Sequence, residues 1–217
     1  MNPTEQAATH ETLQSVIHRQ LRSSIATIQS VLDDPAISST LVAAAQYAGD
    51  AMRNGRKLMV AGNGGSAAES QHLVAEFVSR LTVDRRALPA ISLTVDTSIL
   101  TAIGNDYNYE DVFERQLEAI AQAGDVFFAL STSGNSKNIL KALKLAPKLG
   151  VKTIGISGNG GGQMGPLCDY SIVVPSKVTM NIQEAHLCLE HIFCMLVEKV
   201  FFGMQFGEGK TPAVPAE

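Results

Sequence analysis

From Lys57 onward the chain alternates short apolar runs with helical segments, and this alternation restricts the fold more than any other feature. The runs Lys57–Ala61, Ala90–Val95, Asp125–Leu130, Val151–Ser157 and Ser171–Val174 have strand length. Between and after them helical spacing predicts helices over 66–81, 97–103, 110–122, 136–149 and 179–202. Strands that alternate with helices make a parallel sheet covered on both faces. Ligands of such sheets bind at the carboxyl ends of the strands.

Two further helices precede the sheet. Leu13, Val16, Ile17, Leu21, Ile25, Ile28 and Leu32 follow three- and four-residue steps and share one stripe. Asp33-Asp34-Pro35 ends that helix. The next runs from about Ala36 to Arg53, with Ile37, Leu41, Ala44, Ala48 and Met52 inward, and Asn54-Gly55 stops it. Both stripes need a burial partner, either the sheet or another subunit. The chain thus divides into a helical pair over 1–55, a sheet domain over 56–206 and a flexible tail over 207–217.

Composition closes off several function classes. The chain has 217 residues, with 17 Lys and Arg against 21 Asp and Glu, a net charge of −4. That balance argues against a nucleic-acid grip or an anionic-membrane binder. The longest apolar stretches, such as Val126–Leu130 and Ile192–Val197, fall far short of a membrane span. The N-terminus lacks a cationic segment followed by an apolar core, so no secretory signal is expected. Cys168, Cys188 and Cys194 are odd in number and lack metal-binding spacing, so they are expected to be buried thiols in the cytoplasm.

Two strand-to-helix turns carry unusual composition. In Gly62-Asn63-Gly64-Gly65-Ser66 the glycines let the backbone turn sharply and approach a ligand. Ser66 and Glu69 match a capping box, so Ser66 is expected to start the helix. Gly62, Gly64 and Ala67 also fit a dinucleotide motif, but the acid that ends the next strand, Asp96, is 29 positions beyond Ala67. That spacing suits a nicotinamide site poorly. The second turn, Ser131-Thr132-Ser133-Gly134-Asn135-Ser136, brings four hydroxyls to a helix N-terminus. It suits a phosphomonoester, with a plain N-cap at Ser136 as the simpler alternative. Gly209-Lys210-Thr211 is no P-loop, because Met204 stands where a glycine is required.

The ionisable residues of interest lie on two helices. His72 and Glu76 are four apart and share a face, which Arg80 continues. On the last helix Gln183 and His191 are eight apart, about 80° around the axis, and His186 lies between them. Such spacings also occur in ordinary surface pairs and buried histidines. They carry chemistry only where both helices face one cleft.

Together, GNGGS at 62–66, His72 with Glu76, GND at 104–106, STSGNS at 131–136, QEAH at 183–186 and His191 resemble the phosphoheptose isomerases of the SIS fold. The resemblance covers about residues 10–203. It implies an α/β, flavodoxin-like architecture of five parallel strands between helices. It also implies a homotetramer with sites at subunit interfaces, which gives the first two helices their partner. The implied reaction turns sedoheptulose 7-phosphate into D-glycero-D-manno-heptose 7-phosphate, the first step toward activated heptose for lipopolysaccharide or other surface glycans. One zinc per subunit is implied, held by His72, Glu76, Gln183 and His191. Glu76 is then expected to act as the base at carbon, with His191 as its acid–base partner. The phosphate would sit on Ser131, Thr132, Ser133 and Ser136. The hydroxyls would sit among Asn63, Gly64, Gly65, Ser66, Glu76, Asn105, Asp106 and Gln183.

Met180 and Asn181 depart from the family pattern and are expected to alter contacts to the middle hydroxyls. A non-catalytic branch of the fold binds a replication initiator and shares the two loops, but lacks the glutamate and last histidine. This chain has both.

Overall fold

A computed structural model describes residues 12–203. Five strands form one sheet: β1 (Leu58–Ala61), β2 (Ala90–Ser92), β3 (Val126–Ser131), β4 (Lys152–Ser157) and β5 (Tyr170–Val173). Their order is β2-β1-β3-β4-β5, and every neighbouring pair is parallel. Leu58 sits opposite Ala90 on one side and Val126 on the other. The order reverses between β1 and β3, so the loops that leave these two strands open onto one crevice.

Alternation along the strands sends side chains to two cores. Leu58, Val60, Val126, Phe128 and Leu130 join the core built with α2 (Pro35–Arg53), α3 (Gly65–Val78) and α7 (Thr179–Phe202). Met59, Ala61, Phe127 and Ala129 join the core built with α4 (Thr97–Asp106), α5 (Glu114–Ile120) and α6 (Lys137–Leu145). Burial on both faces explains why these strands read as continuous apolar runs.

The inner face of α2 is buried at Ile37, Leu41, Ala44, Ala48 and Met52, as its spacing predicts. Pro35 occupies its first turn, and Asp34 caps it by accepting from Ala36 N at 2.9 Å. The first helix, α1 (Leu13–Leu32), buries only Thr27. Its residues Leu13, Ile17, Leu21, Ile25 and Leu32 stay between 56% and 86% exposed. Among the described residues these five side chains therefore have no cover, while Ile28 packs against the core.

Asn181, one of the two departures from the family pattern, is engaged within the fold. Its side chain is buried, with Oδ1 accepting from Gln20 Nε2 at 2.7 Å and Nδ2 donating to Ser23 Oγ at 2.5 Å. The residue thus pins α1 to α7. Met180 is exposed beside it.

Several boundaries differ from the sequence expectation, each for a local reason. α3 stops at Val78 instead of Leu81, because Arg85 takes up the carbonyls of Glu76, Phe77 and Ser79. β2 is an edge strand of three residues, Ala90–Ser92, shorter than the Ala90–Val95 run. α4 extends to Asp106, which places Asn105 and Asp106 in its last turn. The 110–122 segment splits into a 3-10 turn at Tyr109–Asp111 and α5. The 136–149 segment gives α6 and a 3-10 turn at Ala146–Leu149, since Pro147 has no N–H to continue the helix. Of the three thiols, Cys194 is buried as expected, Cys168 is partly buried and Cys188 is exposed. Burial pushes Cys168 and Cys194 up to about 12, so both stay protonated. The expected tail over 207–217 and the Gly209-Lys210-Thr211 tripeptide lie outside the described residues. Among the described residues no helix is long and apolar enough to cross a membrane.

Candidate active site

The loop after β1 is held to the first turn of α6 by an amide pair. Asn63 Nδ2 donates to Asn138 Oδ1 at 2.9 Å, and Asn138 Nδ2 donates back to Asn63 Oδ1 at 2.9 Å. Tyr109 Oη donates to the same Asn63 oxygen at 3.2 Å. The helix begins at Gly65 with Gly64 as its N-cap, so Ser66 lies inside the helix instead of capping it. Ser66 is buried, as it faces the interior of this turn. Gly65 is required by packing: a Cβ there would stand 2.0 Å from Gln183 Nε2. Asp96, the acid weighed for a dinucleotide ribose, caps α4 by accepting from Ile99 N at 2.9 Å.

The loop after β3 is shaped for an anion. Ser136 is the N-cap residue of α6, yet its side chain makes no capping hydrogen bond. Its Oγ lies 3.0 Å from Ser131 Oγ instead. Ser136 thus leaves the positive dipole end of α6 open, although Ile139 N in its first turn already donates to Asn138 Oδ1 at 2.9 Å. Ser133 Oγ accepts from Asn135 N at 3.1 Å and orders the turn. Thr132 is half-buried beside it. Gly134 has φ +65°, and a Cβ there would meet Gly161 O at 2.2 Å. The glycine-rich loop after β4 therefore braces the turn, with Met164 N donating to Gly134 O at 3.0 Å. Lys137 is occupied by Glu110 at 2.8 Å.

The residues expected to serve as acid and base meet at the seam between α3 and α7. His72 Nε2 lies 2.8 Å from His191 Nε2 and 3.4 Å from Glu76 Oε1. One donor atom from each of the three falls within 4.8 Å of the others. At 2.8 Å the two ring nitrogens share a proton or a cation, since two lone pairs repel. Two imidazole nitrogens and a carboxylate oxygen are a donor set that zinc accepts. The cluster faces outward, with the His72 side chain 43% exposed.

The remaining candidates stand apart from this meeting. Gln183 lies eight residues before His191, about 12 Å along α7, and packs on Gly65. Asn105 and Asp106 are exposed at the end of α4, where Asn105 Nδ2 donates to Asp106 Oδ1 at 2.8 Å.

Behind the seam lies a second ionisable group that spacing did not reveal. His186 and Glu190 are fully buried on α7, and Glu69 of α3 approaches His186 Nδ1 to 3.9 Å. Burial pushes Glu69 up to about 6 and His186 down to about 4. Burial, with the neighbouring Glu69, holds Glu190 well above the usual carboxylate range. Glu69, His186 and Glu190 also supply every buried side-chain polar atom without a hydrogen-bond partner among the described residues.

Comparison with known proteins agrees with this layout. The SIS-domain sequence profile matches residues 21–158. A phosphoheptose isomerase of Clostridium acetobutylicum is 46% identical over 196 residues, covering 90% of this chain and 100% of that protein. One from Pelobacter propionicus is 58% identical over 153 residues, covering 70% of this chain and 81% of that protein. The solved phosphoheptose isomerase of Neisseria gonorrhoeae superposes with a TM-score of 0.81 at 37% identity, covering 87% of this chain and 100% of that one. With the fold, both loops and the acid–base seam in place, the chain belongs to the phosphoheptose isomerase family of SIS-domain proteins.

Proposed function

We propose that this chain isomerises sedoheptulose 7-phosphate to D-glycero-D-manno-heptose 7-phosphate, the first step toward activated heptose for lipopolysaccharide or other surface glycans. The observation that carries the reading is the meeting of Glu76, His72 and His191 at the α3–α7 seam. A ketose becomes an aldose when a proton moves from C1 to C2 through an enediol. One group must move the carbon proton while another serves the oxygens. Glu76 takes the proton from C1 and returns it at C2. His191 gives and takes protons at the two oxygens. His72, hydrogen-bonded to His191, fixes the orientation of that ring. Ser131, Thr132, Ser133, Ser136 and the start of α6 bind the phosphate, while Asn63 and its partners bind hydroxyls. Held by His72, Glu76 and His191, with Gln183 from a neighbouring protomer, zinc would supply Lewis-acid polarisation of a carbonyl.

The same geometry favours a site shared between protomers. Glu76 stands 11 residues beyond Gly65, about 16 Å along α3 and away from the phosphate loop. That is longer than an extended seven-carbon phosphate. A homotetramer that sets the seam of one protomer beside the loops of another brings both onto one substrate. It would also cover the α1 stripe and allow Gln183 to reach a neighbour's seam. The enzyme would work in the cytoplasm, where its phosphorylated substrate is retained.

The test is incubation of the purified protein with sedoheptulose 7-phosphate, followed by NMR, with added zinc and with a chelator. The aldose signal is expected, and its loss on chelation would assign a role to the metal. A flat spectrum in every condition, from folded protein, overturns the reading and favours the non-catalytic branch.

A further inference from the structure

The segment between α3 and β2 carries a buried ion pair that the reaction itself does not use. The Arg85 side chain is 3% exposed and the Glu198 side chain 1%. Arg85 Nε donates to Glu198 Oε1 at 2.8 Å, and Nη2 approaches the same oxygen at 2.7 Å. Thr82 Oγ1 donates to Glu198 Oε2 at 2.6 Å. The other side of the guanidinium serves the end of α3. Nη2 donates to Glu76 O at 2.7 Å, and Nη1 donates to Phe77 O at 2.7 Å and to Ser79 O at 3.1 Å. One side chain thus collects carbonyls that a helix end leaves without partners.

The placement of this pair bears on the acid–base seam. Glu76 is both a member of the seam and the residue whose carbonyl Arg85 holds. Glu198 lies seven residues after His191, two turns along α7 and only about 20° around its axis. The two helices are therefore fastened to each other about 10 Å from the place where their histidines meet. A slide of either helix by a fraction of an ångström would change the 2.8 Å separation of His72 and His191. Their mutual register is set by few polar links, and this one is buried, planar and multiply bonded.

We propose that Arg85, locked to Glu198, is a positioning residue that holds Glu76 and His72 in register with His191. The inference rests on the proposed isomerase reading for its kinetic consequence, but the arrangement of the seam can be measured separately. Three proteins are compared with the wild type: Glu198→Gln, Arg85→Lys, and the double variant Arg85→Met with Glu198→Leu. The double variant removes both charges together, so it leaves no buried ion unpaired and keeps the apolar volume. Each is assayed for melting temperature, for kcat and KM on sedoheptulose 7-phosphate, and for zinc affinity by competition with a chromogenic chelator.

A positioning role predicts that the double variant, while still folded at the assay temperature, loses about tenfold or more in kcat. Its KM should stay within about twofold, because the phosphate loop is untouched, and its zinc affinity should fall along with kcat. Arg85→Lys keeps the charge without the planar fork and should recover only part of the loss. A folded double variant with wild-type kcat and wild-type zinc affinity overturns the proposal, as does a loss confined to KM. Should the wild type fail to turn over the substrate, the functional reading falls, and zinc affinity alone still decides the clamp.

Discussion

His72 and His191, 119 positions apart in sequence, meet nitrogen to nitrogen at 2.8 Å, and Glu76 closes the group from one turn below. Glu76→Gln keeps the size of the side chain and removes its basicity. We expect a folded protein, with unchanged circular dichroism and sedimentation, whose turnover falls by at least about a thousandfold. Substantial activity in that variant would move the base elsewhere.

A site shared between protomers makes a complementation prediction. Ser136→Asp places a negative charge in the phosphate loop at a position where aspartate favours the helix start. Glu76→Gln disables the seam. Each variant alone should be inactive. Mixed by co-expression, their random assembly should restore about a quarter of wild-type turnover, because a site then needs one good loop and one good seam from different chains. No recovery in a demonstrated mixed oligomer would confine the site to one chain.

The exposed α1 stripe gives a separate test of assembly. Leu21→Glu places a charge in the middle of Leu13, Ile17, Leu21, Ile25 and Leu32. Sedimentation velocity should show smaller species, while circular dichroism stays helical. An unchanged sedimentation coefficient would mean that α1 is covered by something other than a second copy.

The buried Glu69 makes stability depend on pH in an unusual direction. Its carboxyl ionises near 4.5 in an unfolded chain but near 6 in the fold, as burial penalises the charged form. Between those values the folded state holds the extra proton, so this residue withdraws stability as pH rises. The withdrawal is complete above 6 and amounts to about 2 kcal/mol. Glu69→Gln should therefore raise the melting temperature more at pH 7.5 than at pH 4.5. His186 acts with the opposite sign. Its ring is protonated below 6.5 when unfolded but only below about 4 when folded. The unfolded state holds the extra proton in that interval, and stability falls as pH falls. His186→Gln should flatten that acid limb. Melting curves taken across pH 4 to 8 measure both slopes.

Gly134→Ala tests the bracing of the phosphate loop. The new methyl would occupy a left-handed backbone position and meet Gly161 O at 2.2 Å. A destabilisation of more than about 2 kcal/mol is expected in urea titrations, together with a raised KM.

What the sequence made legible follows from which forces are local. The bounds of α7 could be read because an apolar stripe runs unbroken from Thr179 and ends at Gly203, which adopts the left-handed cap. The strands were legible because burial on both faces leaves no polar alternation to interrupt them. The end of α3 was not, since it is fixed by Arg85 arriving from beyond the helix. The His72–Glu76 pair was visible as an i, i+4 spacing, but its union with His191 depends on how two helices pack. Asp96 suited a dinucleotide ribose poorly by its spacing, and it is a helix cap, a use that shares the same strand-to-helix position. Glu69 was read as the capping-box partner of Ser66 and Glu190 carried no sequence signal, so only burial reveals them. Asn181 stood out only as a departure from the family pattern, and its bonds to α1 show what the amide does in the fold.

The start of α6, which Ser136 leaves without a side-chain cap of its own, has a consequence for how the proposed site would tell anions apart. Its donors are hydroxyls and backbone N–H groups, and the nearby Lys137 is already engaged by Glu110. A cradle of neutral donors recognises an anion by the number and direction of its lone pairs, with little long-range attraction for salt to screen. Substrate capture should then hold steady from dilute buffer to the ionic strength of a cell. Selection would instead fall on protonation: a dianionic ester offers more acceptor sites than its monoanion, so affinity would fade as the medium turns acid enough to protonate the substrate.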